Sequence, residues 1–531
     1  MAGKNNILSR KSVWYQCRSY VSTQPFKKAV AAQQVTVNGI NTKDIYYKKI
    51  GNKLENDDKP AGWNEAKPFS MIPGPKPIPI LGNIWRFFPG IGEYHNLGIV
   101  DLHKKITETY GEIAYFSGIF GKKPMVFCYN PDAMETISRN EGAWPVRYGM
   151  NAFVYYQKNI RKDVFQGIGG VLSTQGEEWF KIRSAVNKIL MQPRTAEIAD
   201  PDNLMPSDFQ NELFKWTMES MAVIAYNKRI GVLDRNLDVN SKQQQFINSV
   251  LTMFDMSYKM DVLPSLWPYI STRNWRKFVN IMDTLTELNQ KFIKECLESI
   301  NPDSNIPDHE RSVLERLLKT DRRIAITMTN DMLIAGIDTT GKTMASALYF
   351  LAKNPEKQEK LRQELKTYLP NKESVVNQDM IRASPYLKAV IKETTRLAPI
   401  AIGNLRSTVK DLVLSGYQIP KDTEVVSINI LSSIDDKYFL KAQEFVPERW
   451  LRTTADEFSH KNVHPFASVP FGFGPRSCIG KRLANLELEV GLAKMIRNFQ
   501  ISWPHADAKF GATLLYGIQS PLRFKVVEVD N

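Results

Sequence analysis

Four cysteines are scattered through the 531-residue chain, Cys17, Cys128, Cys296 and Cys478, and only the last stands among residues suited to metal chemistry. The run Phe471-Gly472-Phe473-Gly474-Pro475-Arg476-Ser477-Cys478-Ile479-Gly480 joins a glycine-rich loop to a helix expected from near Lys481 through Glu489. A thiolate at a helix N-terminus is stabilised by the free amides and the dipole there, which lowers its pKa and suits it to bind a metal. The glycines let the backbone approach a flat cofactor closely. Arg476, two residues ahead of the cysteine, is placed to meet an anionic group of that cofactor. The other cysteines have neither zinc spacing nor disulfide density and read as free thiols.

Other spacings are informative only in company. Glu393-Thr394-Thr395-Arg396 sets an acid and an arginine one helical turn apart on one face. Glu359 and Arg362 repeat that spacing on what reads as a solvated helix face, so the pair alone decides nothing. The later copy is followed by Leu397, Pro399 and Arg406, and then by Pro447-Glu448-Arg449-Trp450. A long helix is expected over roughly Ile324 to Lys353, containing Ala335-Gly336-Ile337-Asp338-Thr339-Thr340. Small residues at Ala335 and Gly336 leave space beside it, and a threonine hydroxyl bonded to a carbonyl of the preceding turn bends it. An ordinary core helix with an awkward glycine is the plainer reading. Trp179 and Arg183 stand one turn apart, as an amphipathic helix with a buried Trp would also have them. Lys388 and Lys392 share a helix face and make a paired positive patch, or simply two solvated lysines.

Together these runs resemble the cytochrome P450 family, and their order is similar to that family's from about Pro73 to the end. The resemblance implies a mainly α-helical fold with a smaller β-rich region, holding haem b between the long helix and the cysteine loop. It makes Cys478 the thiolate ligand of the iron, with Phe471 and Gly480 in the haem-binding loop. Trp179, Arg183, Arg406 and Arg476 become partners of the haem propionates. Asp338 and Thr339 become the acid and alcohol of the proton relay in dioxygen activation. Glu393 and Arg396 join Arg449 in a buried network that fixes the approach to the cysteine loop. The implied reaction inserts one atom of O2 into a lipophilic substrate. Leu387 to Thr394 resembles the mitochondrial version of its helix, in which Lys388 and Lys392 dock an acidic [2Fe-2S] ferredoxin supplied with electrons from NADPH by its reductase. Ile168 to Ser173 and Leu414 to Pro420 resemble insect mitochondrial members, among them those linked to xenobiotic and insecticide metabolism. Pocket segments by resemblance are 146–172, 253–264, 334–339, 401–405 and 514–520, whose apolar content suits a steroid or a foreign compound alike. Two rivals remain open: a haem-thiolate isomerase, against which the intact Asp338-Thr339 pair argues, and a non-catalytic haem-binding protein.

The elements that must position these residues fit an ordinary globular composition, 43% hydrophobic and 24% charged, enough to bury a large core. Net charge is +14, but seven basic residues precede the first acid, Asp44, so the excess gathers at the N-terminus and a nucleic-acid role loses weight. Residues 1–43, basic, Ser-containing and free of acids, read as a mitochondrial transit segment cleaved near Arg18 to Val21. Residues 44–72 read as a linker and 73–531 as the folded enzyme. Pro73 to Asn83 reads as a stiff extended hinge between them. No run of roughly 20 apolar residues occurs, so membrane contact is expected to be peripheral, at the inner membrane's matrix side. Hairpins are expected between Tyr110 and Tyr129, helices from Pro131 to about Tyr386, and strands up to about Ile430. One departure stands out: after Leu190-Met191-Gln192-Pro193-Arg194 the family supplies a further helix, and about 20 residues of it are missing here before Ser207, judging by helix rise and usual connection length. That gap is what sustains the non-catalytic reading.

Overall fold

A computed structural model describes residues 59–529 apart from 80, 120–121, 188–208, 235–236, 300–310 and 454–456. The transit segment expected over 1–43 and the gap expected after Arg194 lie outside the described residues. The helical body includes α1 (Gly176–Asn187), α2 (Phe209–Tyr226), α3 (Lys242–Ser257), α4 (Arg273–Ser299), α5 (Arg322–Lys353), α6 (Pro385–Leu397) and α7 (Lys481–Asn498). Helices dominate and strands are few and short, the mainly α-helical fold with a smaller β-rich region.

The long helix α5 is the axis of the molecule. Asp321 caps it, its carboxylate accepting the Arg323 amide at 2.8 Å, and Pro355 opens the next helix just beyond its end. It is buried on nearly all sides, as a core helix is. Its first half, around Ala325 to Ile337, packs into a cluster with α2, α3 and α4. Its second half, Met344 to Ala352, belongs to a second cluster with α6, α7 and the C-terminal strands. The helix α2 approaches α5 so closely that a Cβ on Gly336 would lie 2.7 Å from Met221 Cγ, and one on Gly341 2.6 Å from the Phe214 ring. The space expected beside Gly336 is therefore filled by Met221, and these glycines serve helix contact. The bend donor expected of a threonine is present: Thr339 Oγ1 donates to the Ala335 carbonyl at 2.7 Å.

The main sheet runs β1 (Ile113–Phe116), β2 (Met125–Cys128), β6 (Glu424–Ser427), β3 (Asn404–Ser407), with only the β2–β6 pair parallel. Between β3 and β6 lies the hairpin β4 (Leu412–Leu414) and β5 (Tyr417–Ile419), closed by Ser415 and Gly416 with φ of 49° and 78°, the left-handed pair that a two-residue hairpin turn requires. The C-terminal ribbons, of which Phe499–Ser502 pairs with Lys525–Glu528, were not legible as strands, because runs of three or four residues carry too little alternation.

Three expectations need correction. The face carrying Glu359 and Arg362 is solvated only at Glu359: Arg362 is buried and donates to the Ile496 and Phe499 carbonyls. Residues 59–72, expected to be linker, pack on the folded body: Lys67 bridges to Tyr417, the Trp63 carbonyl accepts Gln418, and Ala66 and Ile72 are buried. The proline run is also no free hinge. It lies along β1, where Tyr115 donates to the Pro73 carbonyl at 2.7 Å and Asn83 Nδ2 ties Pro75 to Ser117. Prolines present carbonyls without competing donors, which suits such edge pairing. Among the described residues, no helix is long and apolar enough to cross a membrane.

Candidate active site

The cysteine loop is shaped by its glycines. Gly472 and Gly474 have φ of 69° and 74°, and a Cβ on Gly474 would lie 2.2 Å from Glu141 Oε1. The loop folds back so that the Cys478 amide donates to the Phe471 carbonyl at 2.8 Å, and α7 starts directly after Gly480, with Ala484 donating to the Gly480 carbonyl. The Cys478 side chain opens onto a recess rather than packing into the core. The Gly480 amide, Arg183, Lys481 and Arg147 all favour its thiolate, as the helix N-terminus leads one to expect. Burial in the recess outweighs them and pushes the thiol above its ordinary value, so the expected depression does not hold for the free thiol. A coordinating cation would reverse that balance, since a ligated thiol is deprotonated outright.

Around the recess gather Arg147, Arg183, Arg406 and Arg476, three of them expected. The Arg476 guanidinium lies 3.9 Å from the Trp179 ring centroid and donates to the Pro145 and Thr174 carbonyls and to Gln175 Oε1. Arg406 pairs with the buried Glu141. Burial pulls Arg476 down to about 9 and Arg147 to about 10, and the neighbouring guanidiniums add to both shifts. Three donors there have no partner: Trp179 Nε1, Arg183 Nε and Arg476 Nη1. Buried donors without acceptors and a surplus of cations over Glu141 form a site for anions, and the two carboxylates of a haem fit it. Arg147 and Glu141 escaped the sequence reading, since neither belongs to a spaced pair. Arg147 does fall inside the expected pocket segment 146–172.

On α5, Thr339 is half-buried and Asp338 fully buried. Burial raises the Asp338 carboxyl against the pull of Lys342, whose Nζ donates to Oδ2 at 2.9 Å, while Oδ1 has no partner. Lys342 was not foreseen, although it lies one turn past Asp338. Nor was Glu487 on α7, a buried acid that burial pushes up to about 8, with the Thr340 hydroxyl opposing. Its signal was present: an acid at the buried i, i+4 spacing after Leu483.

The Glu393 network comes together as a single knot. Glu393 accepts Arg396 Nη2 at 2.7 Å, Arg449 Nε at 3.0 Å and Trp450 Nε1 at 2.8 Å, and all three charged side chains are fully buried. Arg396 also donates to the carbonyls of Ser433, Ala442 and Glu444, which pins the irregular chain leading to the cysteine loop. Removing one member would strand buried charge, at a cost of about 3–5 kcal/mol. Lys388 and Lys392 lie on the same helix, α6, half-buried and exposed respectively. Lys392 is lowered by burial and by Lys481, Arg452 and Lys388, so the helix pair and the start of α7 form one basic cluster. Arg452 is an addition to the expected patch.

Residues 72–511 match the family model described as Cytochrome P450. Cytochrome P450 CYP12A2 of Musca domestica is 40% identical over 503 residues, covering 88% of this chain and 93% of its own. The probable cytochromes P450 12b2 and 12a5, mitochondrial, of Drosophila melanogaster are 38% and 37% identical, over 88% and 90% of this chain and 91% and 94% of theirs.

Proposed function

The chain belongs to the cytochrome P450 family of haem monooxygenases, and from that premise we propose that it holds haem b through Cys478 and oxidises a lipophilic substrate with electrons from a [2Fe-2S] ferredoxin. The observation that carries this reading is the set of four guanidiniums with unpaired buried donors beside the cysteine recess. Trp179, Arg183, Arg406 and Arg476, with Arg147, would hold the propionates, and Phe471 and Gly480 would border the ring. A haem held there would supply dioxygen activation, with Cys478 as the residue that would ligate its iron and tune its electronics. The Thr339 hydroxyl is oriented by the Ala335 carbonyl, and its lone pairs stay available to accept. Burial raises the Asp338 carboxyl against the pull of Lys342, and its unpaired Oδ1 is the oxygen left to exchange a proton with the groove. One oxygen atom enters the substrate and the other leaves as water.

The relatives named mitochondrial, the basic N-terminal segment and the cluster of Lys388, Lys392, Arg452 and Lys481 support a mitochondrial, ferredoxin-dependent enzyme fed by an NADPH-dependent reductase. Exposed Val262, Leu266, Tyr269 and Ile270 support peripheral contact with the inner membrane from the matrix side. The insect relatives and the apolar pocket segments support a xenobiotic or steroid substrate. Cys478→Ser is the decisive test: the variant should lose the red-shifted ferrous-CO absorption of thiolate ligation, because a neutral hydroxyl cannot replace a sulfur anion. A band that persists assigns the ligand elsewhere.

A further inference from the structure

A buried acid outside the proton relay begins an unbroken polar path from α5 to the arginine cluster. Asp331 stands two turns before Thr339, 3% exposed, and pairs with no cation among the described residues. Gln157, presented by the π-helical turn Tyr156–Ile160, donates from Nε2 to Asp331 Oδ1 at 3.3 Å. Its Oε1 accepts the Ser173 hydroxyl at 2.7 Å and the Gly170 amide at 3.4 Å. Gly170 lies against the carboxylate itself: a Cβ there would sit 1.7 Å from Asp331 Oδ2, and its three nearest atoms would all be Asp331's. The Gly170 carbonyl accepts Thr174 through both amide and hydroxyl, at 3.0 and 2.7 Å. From Thr174 and Gln175 the path enters the cluster, since Arg476 Nη2 donates to the Thr174 carbonyl and to Gln175 Oε1. Gln175 also clasps the Arg147 main chain, accepting its amide at 3.0 Å and donating to its carbonyl at 2.6 Å.

We propose that Asp331 is a positioning residue: through Gln157 and Gly170 it sets the segment 168–175, and through that segment it sets Arg476 and Arg147 in register with α5. The inference rests on the reading of the arginines as the cofactor's anion site. A buried carboxyl without a cation destabilises a fold relative to an apolar side chain of similar size. What it offers in return is direction, because an acceptor at that point fixes the Gln157 amide, whose oxygen in turn takes the Ser173 hydroxyl and the Gly170 amide. The nearby backbone of Val171 and Leu172 favours the ionised carboxyl, and Asp331 Oδ2 has no hydrogen-bond partner among the described residues.

The holoenzyme is tested as Asp331→Ala, Asp331→Asn, Gly170→Ala and the double variant Asp331→Ala with Gly170→Ala. Hydrogen exchange of the 168–175 amides is followed with the α7 amides as reference, together with the rate of haem transfer to apomyoglobin. Asp331→Ala should speed exchange in 168–175 by about tenfold, the scale of one net hydrogen bond, and haem transfer should rise with it while α7 is unchanged. Asp331→Asn keeps one acceptor oxygen and should restore most of the protection. Gly170→Ala should reproduce the loss by displacing the carboxylate, and the double variant should be no worse than Asp331→Ala alone. Unchanged exchange in Asp331→Ala, strictly additive losses in the double, or a rise spread equally over α7 overturns the proposal. Should Asp331→Ala not accumulate, Ser173→Ala cuts the same path from the loop side and must give the same local change. The ferrous-CO band reports separately on Cys478, so a failure of the haem-thiolate reading appears in the wild type and is not confused with these outcomes.

Discussion

Burial pushes the Glu487 carboxyl from its ordinary 4.5 up to about 8, and no cation pairs with it among the described residues. In the unfolded chain the proton leaves near 4.5, whereas the folded chain keeps it until about 8. The native state therefore binds more protons across that window, and this group's contribution to stability falls as pH rises through it and levels off above. Glutamine imitates the neutral acid and does not titrate. Glu487→Gln should thus melt close to wild type at pH 5 and above it at pH 9, by an amount worth on the order of a few kcal/mol. A gap between the two melting temperatures that stays constant with pH refutes the neutral-acid assignment. Cys478 teaches the same lesson with the opposite expectation. Its helix N-terminus and cationic neighbours were legible along the chain, but the desolvation that outweighs them is a property of the assembled recess. Asp338 is intermediate, since its partner Lys342 lies within the same helix and was there to be read.

At the scale of elements, α6 does two jobs on two faces. Its buried face carries Glu393 and Arg396 to Arg449, and its outer face carries Lys388 and Lys392 beside Arg452 and Lys481. Charges of one sign on an exposed face steer an acidic partner and fix its orientation, with an effect that fades over a Debye length of about 8 Å at physiological salt. Changing Lys388 and Lys392 together to Gln keeps helix propensity nearly constant. We expect a several-fold higher apparent KM for ferredoxin at low ionic strength, a flatter dependence on salt and unaltered substrate-induced spectral shifts. Reduction by ferredoxin as efficient as wild type at low salt refutes the docking assignment. Lys388 Nζ already donates to the Arg382 carbonyl, so the larger share of the effect belongs to Lys392, which is the more exposed. The long helix α5 shows the limit of reading elements singly. Its approximate span was legible from helical periodicity, yet its Asp321 cap and the role of Gly336 were not, and the residue that fills the space beside Gly336, Met221, comes from another helix.

At the scale of the whole molecule, α5 binds two hydrophobic clusters into one body and carries the groove residues between them. The basic segment 1–43 is expected to act before that body forms. Isolated mitochondria should import the full chain and shorten it near Arg18 to Val21, and deletion of 1–43 should abolish import while leaving haem incorporation in the purified protein intact. Import of the truncated chain at the full-length rate would refute the transit reading. The sequence by itself determined the cysteine loop, the order of the motifs, the long helix and the lysine pair, because each is set by covalent neighbours or by helical spacing within a dozen or so residues. Only the tertiary structure decided which arginines meet, that Glu141 sits among them, that the segment from residue 59 to the proline run belongs to the folded body, and which acids burial pushes upward. Thr174 and Arg476, which touch, stand 302 residues apart in the chain, and contacts of that separation together with the desolvation they impose have no signature in local pattern.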